Sequence, residues 1–177
     1  MRQGEEGRMD EEQLDQAESF WERKDATQRQ MGKQDVWEAI DAFLSQRRIC
    51  ALATSGNGFV RCTPLEYGFH GGALWAFTEG GKKFRALRAS KAVSVAVFDA
   101  NGDFGSLRSV QMQGDAELVE PFSEEYVAAA QARGIPLDAL RRLSEPMWLI
   151  KVVPSEATLL DSSLREKGFG TRQTWRR

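Results

Sequence analysis

Val36, Trp37, Ile40, Phe43 and Leu44 recur at the spacing of one helical face, and Asp35 with Glu38 stands where a capping box would open that helix. After Arg47-Arg48 the period changes from helical to alternating. Short apolar or alternating runs at 49–54, 59–69 and 73–78 are separated by Ser55-Gly56-Asn57-Gly58 and Gly71-Gly72. Runs of period two broken by glycine pairs predict an antiparallel meander. Glu79-Gly80-Gly81 ends the third run, and residues 82–90 predict a short helix that buries Phe84 and Leu87 and turns its bases to solvent.

A valine-rich strand follows at 92–98, then a loop at 99–106 and a long strand at 107–119. In that strand Arg108, Val110, Met112, Gly114, Ala116 and Leu118 alternate with Ser109, Gln111, Gln113, Asp115 and Glu117. Ser123 is placed to cap a helix running to about 133, Gly134-Ile135-Pro136 stops it, and a second short helix spans 137–143. Two last strands occupy 147–153 and 157–160. The sum is a mainly β fold with peripheral helices: an antiparallel, closed or split barrel of six to seven strands. Residues 1–9 read as disordered, and the polar stretch 10–24, anchored by Leu14, Phe20 and Trp21, as a surface helix or docking arm. The chain therefore divides into a 1–34 polar arm and a 35–177 domain with a helical insertion at about 123–143.

Composition narrows the chemistry. A single histidine, His70, and two cysteines, Cys50 and Cys62, leave no cluster of metal-ligand spacing, so no metal is expected. Few cysteines, a polar start and no apolar stretch longer than 92–98 predict a cytoplasmic protein without a membrane span. The net charge of −2 hides an uneven distribution. Residues 1–34 carry nine acids against six bases, residues 61–91 six bases against two acids, and residues 163–177 five bases against one acid. Basic islands on a mildly acidic body fit a small anionic ligand better than a nucleic acid.

The richest stretch joins Arg61-Cys62-Thr63-Pro64 on one strand to Phe77-Thr78-Glu79-Gly80-Gly81-Lys82-Lys83 at the end of another. Glycines that admit close backbone approach, a helix start and three cations suit a phosphate. The plainer reading is a strand-to-helix turn with a solvated basic helix face. Pro64 requires an edge strand or a bulge. Ser109, Gln111 and Gln113 share a face that suits either a flat heteroaromatic ring or water. His70 is expected in a solvent-exposed turn, Cys50 buried and inert, and Trp37 in the core. Cys62 points away from Arg61 by strand alternation, and Trp175 is a lid, a dimer contact or part of a frayed end.

At these residues the sequence resembles the pyridoxamine 5'-phosphate oxidase-like family of FMN-binding split barrels. The features that carry the resemblance are Leu52-Ala53-Thr54, Val60-Arg61-Cys62-Thr63-Pro64, Phe77-Thr78-Glu79-Gly80-Gly81-Lys82-Lys83 leading into Leu87, Val93-Ser94-Val95-Ala96-Val97, and Val110 to Leu118, in that order. The resemblance implies a Greek-key split barrel that dimerises with FMN between the subunits. On that reading Arg61, Lys83 and Lys82 hold the FMN phosphate, and Cys62, Thr63 and Pro64 line the ring edge. Phe77 and Thr78 flank the ring or ribityl chain, Ser109 and Gln111 complete the site from the other subunit, and Arg172 and Trp175 fall near the flavin. Glu66 stands where the oxidase itself has a lysine five residues after its arginine, Arg108-Ser109 replaces an Arg-Gln pair, and residues 168–177 lack its arginine- and histidine-bearing motif.

These departures point to an uncharacterised branch rather than the oxidase. Its expected activity is an oxidoreductase that passes electrons between reduced nicotinamide and a small acceptor; the alternative is a flavin- or haem-binding or stress-related protein without turnover. Hydride transfer to a flavin needs no acid, base or nucleophile, so no catalytic side chain is assigned. A nucleic-acid module using 82–91 and the basic tail would lack an aromatic stacking platform.

Overall fold

The computed structural model describes residues 9–100 and 105–177. The expectations for the 1–9 start and for the middle of the 99–106 loop fall, apart from their ends, outside the described residues. Two short helices, α1 (Glu11–Glu18) and α2 (Phe20–Ala26), precede α3 (Lys33–Ser45). The strands β1 (Ile49–Gly56), β2 (Phe59–Glu66), β3 (Gly68–His70) and β4 (Ala73–Thr78) lead to α4 (Lys83–Leu87), then β5 (Ala92–Phe98) and β6 (Arg108–Val119). After α5 (Glu124–Ala132) and α6 (Leu137–Arg141) come β7 (Trp148–Asp161), a 3-10 turn (Ser162–Lys167) and β8 (Arg172–Arg176).

All eight strands join one sheet in the order β2-β1-β5-β6-β7-β4-β3, with β8 also paired to β7, and every pairing is antiparallel. The first half of β7 lies between β6 and β4, and its second half between β6 and β8. The sheet curls until β2 approaches β4 without pairing to it, which makes the barrel a split one.

The apolar stripe of α3 explains the interior. Val36, Ile40, Phe43 and Leu44 are buried against Leu52, Val95, Met112, Ile150 and Leu159, which alternate inward from the strands. Burying each such side chain contributes about 1.5–3 kcal/mol. A second cluster lies on the other face of β4 and β7, where Trp75 and Leu149 pack under Tyr126, Ala129 and Leu140 of the helical insertion. Sandwiching leaves β4 apolar on both faces, hence the four consecutive buried residues from Ala73 to Ala76.

Several local expectations are corrected. The run 59–69 is two strands, because Tyr67 turns inward, donating its N–H to Arg48 O (2.7 Å) and its hydroxyl to Leu44 O (2.8 Å). The runs 147–153 and 157–160 are one strand whose register slips opposite Gln113/Gly114. Gly114 permits that slip: a Cβ there would lie 2.1 Å from Val153 O. Leu118, expected inside, is exposed, whereas Val119 enters the second cluster. The α3 helix starts two residues before Asp35 with Gly32 as its N-cap and no side-chain cap; the capping box that does form joins Asp10 to Gln13 in α1. Ser123 caps α5 as expected, accepting from Tyr126 N. Pro64 sits on the edge strand β2 with its register to β1 unbroken. Of the alternatives for Trp175, the frayed end is ruled out: the residue lies on β8, and its ring packs 4.3 Å from that of Trp37.

Candidate functional site

The β4–α4 junction is built by its glycines. Gly80 and Gly81 adopt φ of +135° and +106°, backbone that side chains make costly. Through them the chain reverses between Thr78, which is buried, and Lys82, which is exposed. The Thr78 hydroxyl lies 3.4 Å from both the N–H and the carbonyl oxygen of Gly80 and steadies the reversal. The amides of Phe84 and Arg85 are already bonded to Gly81 O and Lys82 O, and α4 has five residues, so charge at this point comes from side chains rather than from a helix dipole.

Lys83 is the unexpected member. Instead of joining a solvated basic face, it is 4% exposed and its ammonium donates to Gly80 O. Burial is the main cause of its lowered proton affinity, and the nearby Arg61 guanidinium adds to it. That proximity follows from α4 lying on the β1–β2 hairpin. A Cβ on Gly56 would sit 2.7 Å from Ala86 O, and the Arg85 guanidinium stacks 4.8 Å over Phe59.

On β2, alternation puts Arg61 and Thr63 on one face and Val60, Cys62 and Pro64 on the other. The Thr63 hydroxyl is buried and, among the described residues, has no hydrogen-bond partner. Such a group costs about 1–3 kcal/mol and calls for a partner from outside the chain. A depression of about 500 Å³ adjoins the junction, lined by Phe77, Thr78, Glu79, Gly80, Gly81 and Met147. Met147 enters only through the fold, with no signal in its own sequence neighbourhood. Arg61 and Lys82 stand near the buried Lys83, against the Glu79 carboxylate in the lining of the depression, a balance of donors over acceptors that suits an anionic, oxygen-rich ligand.

Other residues singled out in the sequence go elsewhere. The Phe77 ring packs edge-on against Tyr126 of α5, 5.2 Å away. Cys62, Pro64, Ser109 and Gln111 lie on the outward face of the sheet, with β1 and β5 between β2 and β6. A hollow of about 460 Å³ on that face is lined by Ala53, Ser55, Val60, Ser94, Gln113 and Asp115, among others. Arg172 and Trp175 are on β8, beyond β7. Arg172 is held by Asp25 (3.3 Å) and by the Trp21 ring (4.9 Å), partners so distant in sequence that no local pattern announces them. His70 is not a free turn residue: it ends β3, its imidazole stacks on Trp75 at 5.1 Å and 6°, and Nε2 is buried without a partner among the described residues. Cys50 is buried, and burial pushes its thiol up to about 12. Among the described residues no His, Cys, Asp and Glu side chains group to hold a metal ion, and no helix is long and apolar enough to cross a membrane.

A family model described as pyridoxamine 5'-phosphate oxidase matches residues 36–158, from the first buried residue of α3 into β7. The chain belongs to this family. Solved members of the split-barrel class resemble it at low identity. ChuZ of Campylobacter jejuni superposes with a TM-score of 0.64 at 14% identity, over 96% of this chain and 70% of that one. A FAD-binding protein of Mesorhizobium loti gives 0.54 at 21%, over 73% and 93%. The haem storage protein HutZ of Vibrio cholerae gives 0.55 at 17%, over 67% and 89%. At such identities the likeness establishes the split-barrel fold. No curated protein matches the chain.

Proposed function

We propose that this family member is a flavoprotein that binds FMN and passes electrons between a reduced nicotinamide and a small acceptor. The observation that carries the reading is the buried Lys83 beside Arg61 at a glycine reversal, with a buried Thr63 hydroxyl on the same face of β2 as Arg61 that has no partner among the described residues. Arg61, Lys82 and Lys83 hold the phosphate, while Thr63 and Thr78 offer hydroxyls to the polar edge and chain of the ligand. A bound flavin supplies the hydride- and electron-accepting chemistry, so the side chains bind, orient and exclude water rather than react. The outward sheet face bearing Cys62, Pro64, Ser109 and Gln111 is the surface for a second subunit, with the cofactor at the interface.

A haem-binding reading is favoured by the name of one structural neighbour, the haem storage protein HutZ. Against it stands the only histidine, stacked on Trp75 with its Nε2 buried, and therefore poorly placed as an axial ligand. Glu66 is paired with Arg133, the C-cap of α5, at 3.5 Å and puts a carboxylate, not a cation, at the end of β2, which disfavours a doubly phosphorylated arrangement of cofactor and substrate. The decisive experiment is the absorption spectrum of the purified protein, followed by titration with FMN and anaerobic addition of NADH or NADPH. A flavin spectrum bleached by reduced nicotinamide supports the proposal. A colourless protein that neither binds FMN nor gains melting temperature from it sinks the cofactor assignment.

A further inference from the structure

The helices α1 and α2 leave the body of the protein with no buried residue in either. Helices of eight and seven residues are marginal in water alone, and a capping box adds only about 1 kcal/mol. What fixes them lies at their root. Gly170 N donates to Arg29 O (2.9 Å), Met31 N donates to Gln173 Oε1 (2.8 Å), and Asp25 pairs with Arg172. Beyond the root, Leu14 and Phe20 remain 52% and 47% exposed, and Trp21, although it lies against Arg172, is still 41% exposed.

Charge gives the arm a direction. Glu11, Glu12, Asp15 and Glu18 make α1 wholly acidic, and among the described residues none of them forms an ion pair. The reverse holds for the segment around α4: Lys82, Arg85, Arg88 and Lys91 are exposed and, among the described residues, have no carboxylate partner. Within the protomer the two surfaces do not pair, because the arm is rooted on β8 and α4 rides on the β1–β2 hairpin, at separate margins of the sheet.

We propose that α1–α2 is a docking arm for a second copy of this chain. The acidic, partly apolar arm of each protomer seats on the basic 82–91 segment of the other, beside that protomer's phosphate site. This rests on the dimer reading above. A second copy is the occupant because one chain carries both unpaired surfaces, and a two-fold arrangement satisfies both of them at once. Arg172, which anchors the arm, also stands on the outward sheet face assigned to the dimer, so arm and face form one continuous surface.

The test uses two charge-reversal variants of the full chain at exposed positions: Glu11→Lys with Glu12→Lys and Asp15→Lys, and Arg85→Glu with Arg88→Glu. By sedimentation at about 0.1 M salt, each variant alone should dimerise at least about tenfold more weakly than the parent. An equimolar mixture should return to near-parental strength, because both arm contacts then join opposite charges again. If both variants dimerise like the parent, or if the mixture stays as weak as its parts, the arm contact is wrong while the dimer reading stands. A monomeric parent overturns both. FMN titration of each variant reports on the phosphate site independently.

Discussion

The Lys83 ammonium is folded back onto the carbonyl of Gly80, three residues earlier, rather than extended into solvent. The chain reaches that carbonyl along a positive-φ path through Gly80 and Gly81. A lysine held this way has already lost the side-chain freedom, worth up to about 2 kcal/mol, that an anion would otherwise have to quench on binding. Sequence composition alone places a cation here; the glycine geometry makes it a preorganised one.

Removing the two lysines with Lys82→Ala and Lys83→Ala should therefore weaken FMN about tenfold to a hundredfold, since each lost bond to a charged group costs about 1.5–3 kcal/mol and the exposed Lys82 contributes less. Riboflavin, which has no phosphate, should lose less than about threefold by the same argument. Fluorescence titration with both ligands checks the difference. Because burial and Arg61 lower the proton affinity of Lys83, FMN binding should also weaken with rising pH earlier than an ordinary lysine would dictate. Equal losses for the two ligands would move the phosphate site away from α4.

The orphaned Thr63 hydroxyl makes a crossed prediction. Thr63→Val removes a buried group with no partner, so the ligand-free protein should be more stable by about 1 kcal/mol. Flavin binding should weaken if that hydroxyl meets the ligand. Thermal melts with and without FMN read both effects from one sample series. A variant that is destabilised without ligand would show that Thr63 is already satisfied by water.

How far the sequence reached can be seen at Lys83 and Tyr67. The glycine pair followed by lysines was legible as a cradle, because φ-permissive residues and charge are local properties. Whether Lys83 faced water was not, since its burial depends on α4 meeting Gly56 across the hairpin. The 59–69 run looked continuous because Tyr67 suits a strand, and its inward turn is set by acceptors in another element, Arg48 O and Leu44 O. The slip opposite Gly114 was hidden for the same reason: it requires the Val153 carbonyl from β7. The β8 strand went unseen because Arg172 and Arg176 alternate with buried Gln173 and half-buried Trp175, a pattern whose polar inward member disguises the period.

Gln173 has no exposed surface, and its amide uses both ends: Oε1 accepts from Met31 N and Nε2 donates to Gly170 O (2.7 Å). Gln173→Ala should leave both backbone groups unpaired beside a cavity and cost about 2–4 kcal/mol, measured by chemical denaturation. Trypsin should then cut at Arg23, Lys24 or Arg29 faster in the variant than in the parent. Asp25→Asn, which loosens only a partly exposed ion pair, should cost about 0–1 kcal/mol. Equal effects of the two substitutions would mean that the ion pair, not the glutamine, roots the arm.

His70 is the single histidine of the chain. Its ring is stacked on Trp75 and Nε2 is buried, and burial lowers its pKa from the ordinary 6.5. A base whose folded pKa is depressed favours unfolding once the unfolded chain binds the proton that the folded one refuses. Stability should thus be unaffected by this group above about pH 6.5 and fall as pH drops below it, until the folded value is reached. His70→Gln removes the titration, so its melting temperature should decline less than the parent's between about pH 7.5 and 5.5. Carboxylates contribute to both proteins alike, which makes the difference between the two curves the informative quantity. Parallel curves would show that the imidazole protonates freely in the folded state and that the stack on Trp75 does not shield it.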